Sequence, residues 1–356
     1  MKILDYMREY EHEQLVFCCD SSVGLNAIIA IHDTTLGPAL GGARMWPYKS
    51  EDEAILDVLR LSRAMTYKSS AAGVNLGGGK AVIIGDPARD KSPGLFRSLG
   101  RFIESLNGRY ITTEDVGTCE QDMQHISGET THVTGLPLSW GSSGDPSLLT
   151  GFGVYQGMKA CAREVLGSDS LHNRTVAIQG MGKVGSYLAG HLHDEGVNII
   201  AADINDGAAR RAREAFGATL VKPDEIYDVA CDIFAPCALG ATLNRQTIPR
   251  LKCRIVAGCA NNQLKEDKDG DRLQQREILY APDYILNAGG IINISLEFTG
   301  YDAERAKAQV AEIYHTMEKV IALSKSERIS TAKAADKLAR DRIEEARRGR
   351  KIYLHR

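Results

Sequence analysis

Apolar residues recur along this chain in two periods, and the switches between them outline its elements. Ala27-Ile28-Ile29-Ala30-Ile31 is a short continuous apolar run of strand character. A loop of small residues follows, Thr34 to Gly42. Then Ile55, Val58, Leu59 and Met65 fall at helical spacing behind Ser50-x-x-Glu53, a capping box. The pattern predicts a helix from about 51 to 66, with Lys68 just past its end. Asn75 to Ile84 reads as a glycine loop entering the strand Ala81-Val82-Ile83-Ile84, and Phe96 to Leu106 fits another helix.

The second half keeps the alternation but changes its detail. Gly141 to Ser147 is rich in Gly, Ser and Pro and marks a domain boundary. A helix is expected from roughly 147 to 165, then a buried strand at Val176-Ala177-Ile178. Gly180-Met181-Gly182-Lys183-Val184-Gly185 leads into a helix ending near Glu195, and the strand Ile199 to Ala202 ends at Asp203. Two more apolar runs, Asp232 to Ala238 and Ile255 to Asn262, end in small or polar residues. Asn287-Ala288-Gly289-Gly290 opens a further helix, and 302 to 350 reads as two long amphipathic helices. The basic residues there (Arg340, Arg342, Arg347, Arg348, Arg350, Lys351) alternate with Glu344 and Glu345, the pattern of a solvated helix face. Strands alternating with helices over 356 residues imply an α/β protein of two domains.

Composition narrows the class. A formal net charge of −3 gives no footprint for nucleic acid or an anionic membrane. No apolar run approaches the roughly 20 residues of a membrane span, and Met1 to Tyr6 lacks a signal-peptide core, so a cytoplasmic enzyme is expected. The eight cysteines form no CxxC pair and read as buried reduced thiols. No metal site is expected; the nine histidines show no HExxH, and His191 and His193 read as surface or packing residues.

Two motifs carry chemistry. Gly77-Gly78-Gly79-Lys80 lies twelve residues after Lys68, with Thr112-Thr113-Glu114-Asp115 further on. Glycines let backbone approach a ligand closely and carry Lys80 into a confined site. The second motif, GxGxxG, has strand before, helix after and an acidic residue 18 positions beyond Gly185. Gly180 makes the tight turn, Gly182 admits a pyrophosphate, and Gly185 lets helix and strand pack closely. Lys183 and Val184 complete the loop whose helix N-terminus faces the phosphates. Asp203 accepts from ribose hydroxyls and repels a 2′-phosphate, which favours NAD over NADP. Cys237, Ala238, Asn261 and Asn262 stand at strand ends, where an open α/β sheet binds its ligand.

These motifs together resemble the amino-acid dehydrogenase superfamily of glutamate, leucine, phenylalanine and valine enzymes, and within it the leucine dehydrogenases. The residues are Thr34 to Gly42, Met65 to Lys68, Asn75 to Lys80, Glu114 to Thr118, Gly180 to Gly185, Ala260 to Leu264 and Tyr280 to Tyr284, spread over essentially the whole chain. The resemblance implies NAD-dependent oxidative deamination of an L-amino acid to a 2-oxo acid and ammonia. It implies a substrate domain, 1–140 with a C-terminal helix of about 335–356, and a doubly wound Rossmann-type NAD domain, 141–334. Lys68 would bind the substrate carboxylate, with Gly41 and Glu114 nearby. Lys80 would activate water and polarise the carbonyl, and Asp115 would carry protons to and from the substrate nitrogen. Asn262 would fix substrate and nicotinamide, and Thr150 would contact the nicotinamide amide. A homo-oligomer, an octamer, is implied.

Substrate choice rests on few positions. Leu40 stands where glutamate-specific relatives carry a lysine. Thr113, Ile291 and Ile294 are bulkier than the residues common in leucine- and phenylalanine-type enzymes. A narrowed apolar pocket is expected, suited to leucine, isoleucine and valine. The alternatives are a phenylalanine or valine dehydrogenase and, in another class, a non-catalytic NAD-binding sensor.

Overall fold

The structure is a computed structural model that describes residues 2–348; Arg350, Lys351 and the rest of 349–356 lie outside the described residues. The chain divides into two compact units. Of the described residues, one holds 2–144, 294–301 and 339–348; the other holds 145–293 and 302–338.

The first unit begins with helix α1 (Ile3–Glu9) and strands β1 (Gln14–Asp20), β2 (Leu25–Asp33) and β3 (Ala39–Trp46). It continues with α2 (Glu51–Ala71), β4 (Gly77–Ile84), α3 (Pro93–Glu104), β5 (Tyr110–Glu114) and α4 (Glu120–Ser127). The five strands form one sheet in the order β1-β2-β4-β3-β5. β3 runs parallel to β4 and β5, whereas β2 is antiparallel to β1 and β4. Strand alternation sends Ile28, Ala30 and Val82 to one face, against Ile55, Val58 and Leu59 of α2. Ile29, Ile31, Ala81 and Ile83 point to the other, against Leu95, Leu99 and Ile103 of α3.

Two local expectations are corrected here. The glycine run is not a loop: Gly77, Gly78 and Gly79 are the first residues of β4, and none has a positive φ. Their use is closeness. A Cβ on Gly78 would lie 2.2 Å from the backbone nitrogen of Thr66, and one on Gly79 would lie 2.6 Å from the Tyr110 ring. The same closeness extends α2 to Ala71, beyond the expected end near 66, so Lys68 sits within its final turns. Thr66 and Ser69 are buried although polar because they press on a strand without side chains, and Ser70 is buried with its hydroxyl donating to Ala339 O at 2.7 Å. Ser69 donates to the carbonyl of Gly77 at 3.2 Å. The start of α2 is capped by Ser50, whose hydroxyl accepts from Glu53 N, while Glu53 reaches back to Lys49 N.

The second unit opens with α5 (Ser147–Leu166), β6 (Thr175–Gln179), α6 (Lys183–Asp194), β7 (Asn198–Ala202), α7 (Asp206–Phe216) and β8 (Thr219–Leu220). Then come β9 (Ile233–Pro236), β10 (Ile255–Val256), α8 (Lys268–Gln275), β11 (Leu279–Tyr280), α9 (Asp283–Leu286) and α10 (Gly289–Ser295). The C-terminal region is three described helices rather than two: α11 (Ala303–Ala311), α12 (Ile313–Glu327) and α13 (Thr331–Arg347). The break after α12 comes at Arg328, which takes left-handed backbone angles. All six strands of this sheet are parallel, in the order β11-β10-β9-β6-β7-β8. Counted from β6 this is the 3-2-1-4-5-6 order of the doubly wound dinucleotide fold, with the reversal between β6 and β9.

Of the eight cysteines, only Cys18, Cys161 and Cys253 are buried; Cys19 and Cys119 are exposed, the rest intermediate, and all are free thiols. His191 is half-buried and stacks on Tyr155 at 5.4 Å, a packing role. Among the described residues no helix is long and apolar enough to cross a membrane.

Candidate active site

The first unit brings two of the expected residues into direct contact. Lys80 is paired in register with Ala30 and lies on the α2 side of β4, like Gly78 and Val82. Its side chain is 7% exposed and its Nζ lies 2.6 Å from Oδ2 of Asp115, just beyond the end of β5. Leu40 and Gly41 on β3 are paired with Ile111 and Thr112 of β5. Gly41 is required by packing: a Cβ there would lie 1.8 Å from the carbonyl oxygen of Gly79. The carbonyl of Gly41 accepts from the Tyr110 hydroxyl at 2.6 Å. Lys68, Thr113 and Glu114 are half-buried in the same unit.

A residue that the sequence did not single out completes this cluster. Arg44, near the end of β3, donates from Nε to Asp115 Oδ2 at 3.1 Å and from an Nη to Asp57 Oδ2 at 3.0 Å. The Tyr48 hydroxyl donates to that same Asp57 oxygen at 2.6 Å. Burial pushes the Asp115 carboxyl up, but Lys80 and Arg44 outweigh it and hold it below the usual carboxylate range. Burial, then the hydrogen bond to Asp57, push the Tyr48 phenol far above its ordinary value, so Tyr48 acts as a donor only. The one available signal for Arg44 was its place two residues after Gly42, just past the Thr34 to Gly42 block that carried the resemblance.

The second unit gathers the residues expected around a dinucleotide. Gly180 has φ +101° at the end of β6, and a Cβ there would meet Ala238 N at 2.7 Å, beside the end of β9. A Cβ on Gly185 would lie 2.3 Å from the carbonyl oxygen of Gly180. Gly182 differs: a Cβ would meet no protein atom within 4 Å, so protein packing does not demand a glycine there. The open space over it leaves room for a group to approach the backbone. Asp203 Oδ2 accepts from Met181 N at 2.6 Å and Oδ1 from Asn205 N at 2.7 Å, which fixes the carboxylate beside the loop. Lys183, at the first turn of α6, pairs with Asp145 at 3.3 Å but stays 75% exposed, and Val184 is half-buried.

Around the ends of β9 and β10 lie the half-buried Cys237, exposed Ala238 and exposed Asn261. Asn287 donates to the Cys259 carbonyl at 3.1 Å and to Asn261 Oδ1 at 2.8 Å. Asn262 is held at φ 53°, a left-handed conformation that asparagine tolerates and that clusters at functional positions. Thr150 lies in the first turn of α5, its hydroxyl donating to Pro146 O at 2.8 Å. Gly289 and Gly290 admit that turn: a Cβ on either would lie 2.2 Å from Leu149 O or 3.1 Å from Thr150 Oγ1. Ile291 and Ile294 on α10 are buried, as is Leu40. Among the described residues no group of three or more His, Cys, Asp or Glu is placed to hold a metal ion.

A lysine–carboxylate pair in one unit and a parallel sheet with a glycine-rich strand–helix loop in the other agree with the sequence relationships. Residues 12–132 match the model of the Glu/Leu/Phe/Val dehydrogenase dimerisation domain. Residues 141–210 and 206–350 match that of glutamate/leucine/phenylalanine/valine dehydrogenase. The chain is 57% identical to a leucine dehydrogenase of Bacillus cereus, over 99% of this chain and 97% of the relative. It is 49% identical to a phenylalanine dehydrogenase of Lysinibacillus sphaericus, over 94% and 89%. Among solved structures, L-tryptophan dehydrogenase from Nostoc punctiforme superposes with a TM-score of 0.86 at 45% identity, covering 97% of this chain and 100% of that one. The chain therefore belongs to the Glu/Leu/Phe/Val dehydrogenase family, amino-acid dehydrogenases that work with a nicotinamide cofactor.

Proposed function

We propose that this protein catalyses the NAD-dependent, reversible oxidative deamination of branched-chain L-amino acids to 2-oxo acids and ammonia. The observation that carries the reading is the buried Lys80–Asp115 pair. The 57% identity to a leucine dehydrogenase directs it to branched aliphatic substrates. The nicotinamide, when bound, accepts the hydride that leaves the substrate α-carbon. Lys68 binds the substrate carboxylate. Asp115, kept as a carboxylate by its two cations, takes a proton from the substrate nitrogen. The resulting iminium carbon is attacked by water, whose proton is accepted by Lys80 in its uncharged amine form. Collapse of that adduct expels ammonia: Asp115 returns its proton to the departing nitrogen and takes up the hydroxyl proton as the carbonyl forms. Lys80, again protonated, polarises the carbonyl oxygen. Asn262 and Gly41 orient the substrate, and Thr150 contacts the carboxamide of the nicotinamide.

NAD is preferred because Asp203 is fixed beside the loop by two backbone donors. A 2′-phosphate would meet its negative charge. Leu40, Thr113, Ile291 and Ile294 are the residues assigned to substrate choice. Burying the glutamate carboxylate against such residues without a partner costs roughly several kcal/mol. One methylene is worth only about 1–3 kcal/mol, so leucine, isoleucine and valine all turn over. On this reading residues 1–140 and 335–356 form the substrate domain and 141–334 the NAD domain, in a cytoplasmic homo-octamer. The test is reduced-cofactor formation across a panel of L-amino acids with NAD and with NADP. Leucine, isoleucine and valine with NAD should lead, with phenylalanine poor and glutamate inactive. A higher kcat/KM for phenylalanine than for leucine would discard the pocket assignment. Comparable kcat/KM with NADP would discard that of Asp203.

A further inference from the structure

Asp115 has two cations on one oxygen, and only one of them has a place in the reaction described above. Arg44 reaches Asp115 Oδ2 at 3.1 Å while Lys80 reaches it at 2.6 Å. Arg44 is itself held from behind, since its other branch meets Asp57 at 3.0 Å and Asp57 is clamped by the Tyr48 hydroxyl at 2.6 Å. The side chains of Arg44 and Asp57 are only 24% and 29% exposed. The chain Tyr48–Asp57–Arg44–Asp115–Lys80 thus runs from the loop after β3, through α2 and β3, to the end of β5 and the middle of β4.

Surface ion pairs of this length are usually incidental. This one is not at the surface, and its end member is a proton carrier. A guanidinium keeps its charge over the whole working range. Arg44 cannot exchange the proton that Asp115 and Lys80 pass between substrate and water. It can only set the field in which that exchange occurs and fix the orientation of the carboxylate. Thr118 fixes the other side: its hydroxyl accepts from Asp115 N at 2.9 Å and donates to Ala43 O at 2.8 Å, next to Arg44.

We infer that Arg44 is a positioning residue of the reaction, a fixed cation that holds Asp115 against Lys80, and that Asp57 and Tyr48 set the strength of that hold. The inference deepens the proposed function and rests on its assignment of Lys80 and Asp115. The charged and titratable groups that act on Asp115 from the surrounding elements are Lys80 on β4, Arg44 on β3, Asp57 on α2 acting through Arg44, Tyr48 beyond β3, and Tyr110 on β5. Removing a permanent cation from this set makes protons harder to remove from every member. Removing an anion makes them easier to remove.

The two substitutions therefore have opposite signs. In Arg44→Met the pH profile of kcat/KM for leucine should move to higher pH by about one unit, and kcat at the wild-type optimum should fall about tenfold or more. In Asp57→Asn the profile should move to lower pH. Arg44→Lys should recover the profile in part, and NAD binding measured by fluorescence titration should be unchanged in all three. A role confined to folding would lower the melting temperature and the active fraction without moving the profile, and would not reverse sign between the two variants. If Arg44→Met is poorly folded, Asp57→Asn carries the test alone, because it leaves both members of the Arg44–Asp115 pair in place. Profiles that coincide with wild type in the folded variants would overturn the inference. Parallel measurements on Lys80→Ala and Asp115→Asn separate the two levels. Near-normal turnover in those would sink the proposed reaction itself, whereas their inactivity beside an unmoved Arg44 profile sinks only the role of Arg44.

Discussion

Each unit of this protein carries a cluster of three glycines, and the two clusters obey different physics. In β4, Gly77, Gly78 and Gly79 are all enclosed: a Cβ on any of them would approach a protein atom to 2.6 Å or less. They exist so that α2 and the Tyr110 ring can press on a strand, which leaves Lys80 buried at the end of the run. In the loop after β6, Gly180 and Gly185 are enclosed in the same way, but a Cβ on Gly182 would touch nothing within 4 Å. Glycine that packs against protein serves the fold. Gly182, with open space and an ordinary φ, is left to neither packing nor backbone strain, and the proposed function gives it to the cofactor. On that proposal proton chemistry belongs to the first unit and cofactor binding to the second.

Removing Lys80 tests that division most severely. Lys80→Ala should cost about 10²- to 10⁴-fold in kcat, the usual worth of general acid–base help, with the lost polarisation of the carbonyl added to it. NADH affinity, measured by fluorescence titration, should stay within twofold or so of wild type. Equal loss of both would mean that the division is not real.

The glycines come next. Gly78→Ala forces a Cβ onto the backbone of Thr66, which cannot move aside without displacing α2. Overpacking of this kind costs about 1–3 kcal/mol, so thermal unfolding should begin roughly 5 °C lower. Gly182→Ala has ordinary φ, −71°, and open space, so its melting temperature should match wild type. Its NADH dissociation constant should rise about tenfold, the equivalent of roughly 1.4 kcal/mol. A Gly182→Ala protein with unchanged NADH affinity would remove the ligand argument.

Asp203→Ala should lower kcat/KM for NAD by about tenfold to a hundredfold, the worth of charged hydrogen bonds, and narrow the gap to NADP. The smallest effect concerns acid stability. The folded-state carboxyl of Asp115 lies below its unfolded value, near 3.9. The stability it contributes is present above that unfolded value and is lost as pH falls through the folded one. Asp115→Asn should therefore lose less melting temperature than wild type between pH 7 and pH 3. An equal or larger loss would contradict the sign.

What could be read in advance depended on how far apart in the chain the partners lie. The strand–loop–helix around Gly180 to Gly185 was legible because each piece is local: an apolar run, a turn residue with positive φ and an amphipathic helix. The end of α2 was not, because Ser69 and Ser70 are polar and suggest solvent, yet Ser69 is buried on the glycine strand and Ser70 against Ala339. The Lys80–Asp115 contact was expected only through family resemblance. Arg44 was overlooked because its partners lie 71 and 13 residues away, and nothing in an arginine near a strand end names them.

The sequence alone determined the alternation of strands and helices and the glycine fingerprint with its acidic partner. Hydrophobic period and turn chemistry are properties of neighbouring residues. Tertiary structure decided what each glycine is for, since a Cβ clash depends on the element packed above it. It also decided which charges share an oxygen. Lys80, Arg44 and Asp115 come from three strands or strand ends, and only the β4-β3-β5 order of the sheet sets them side by side.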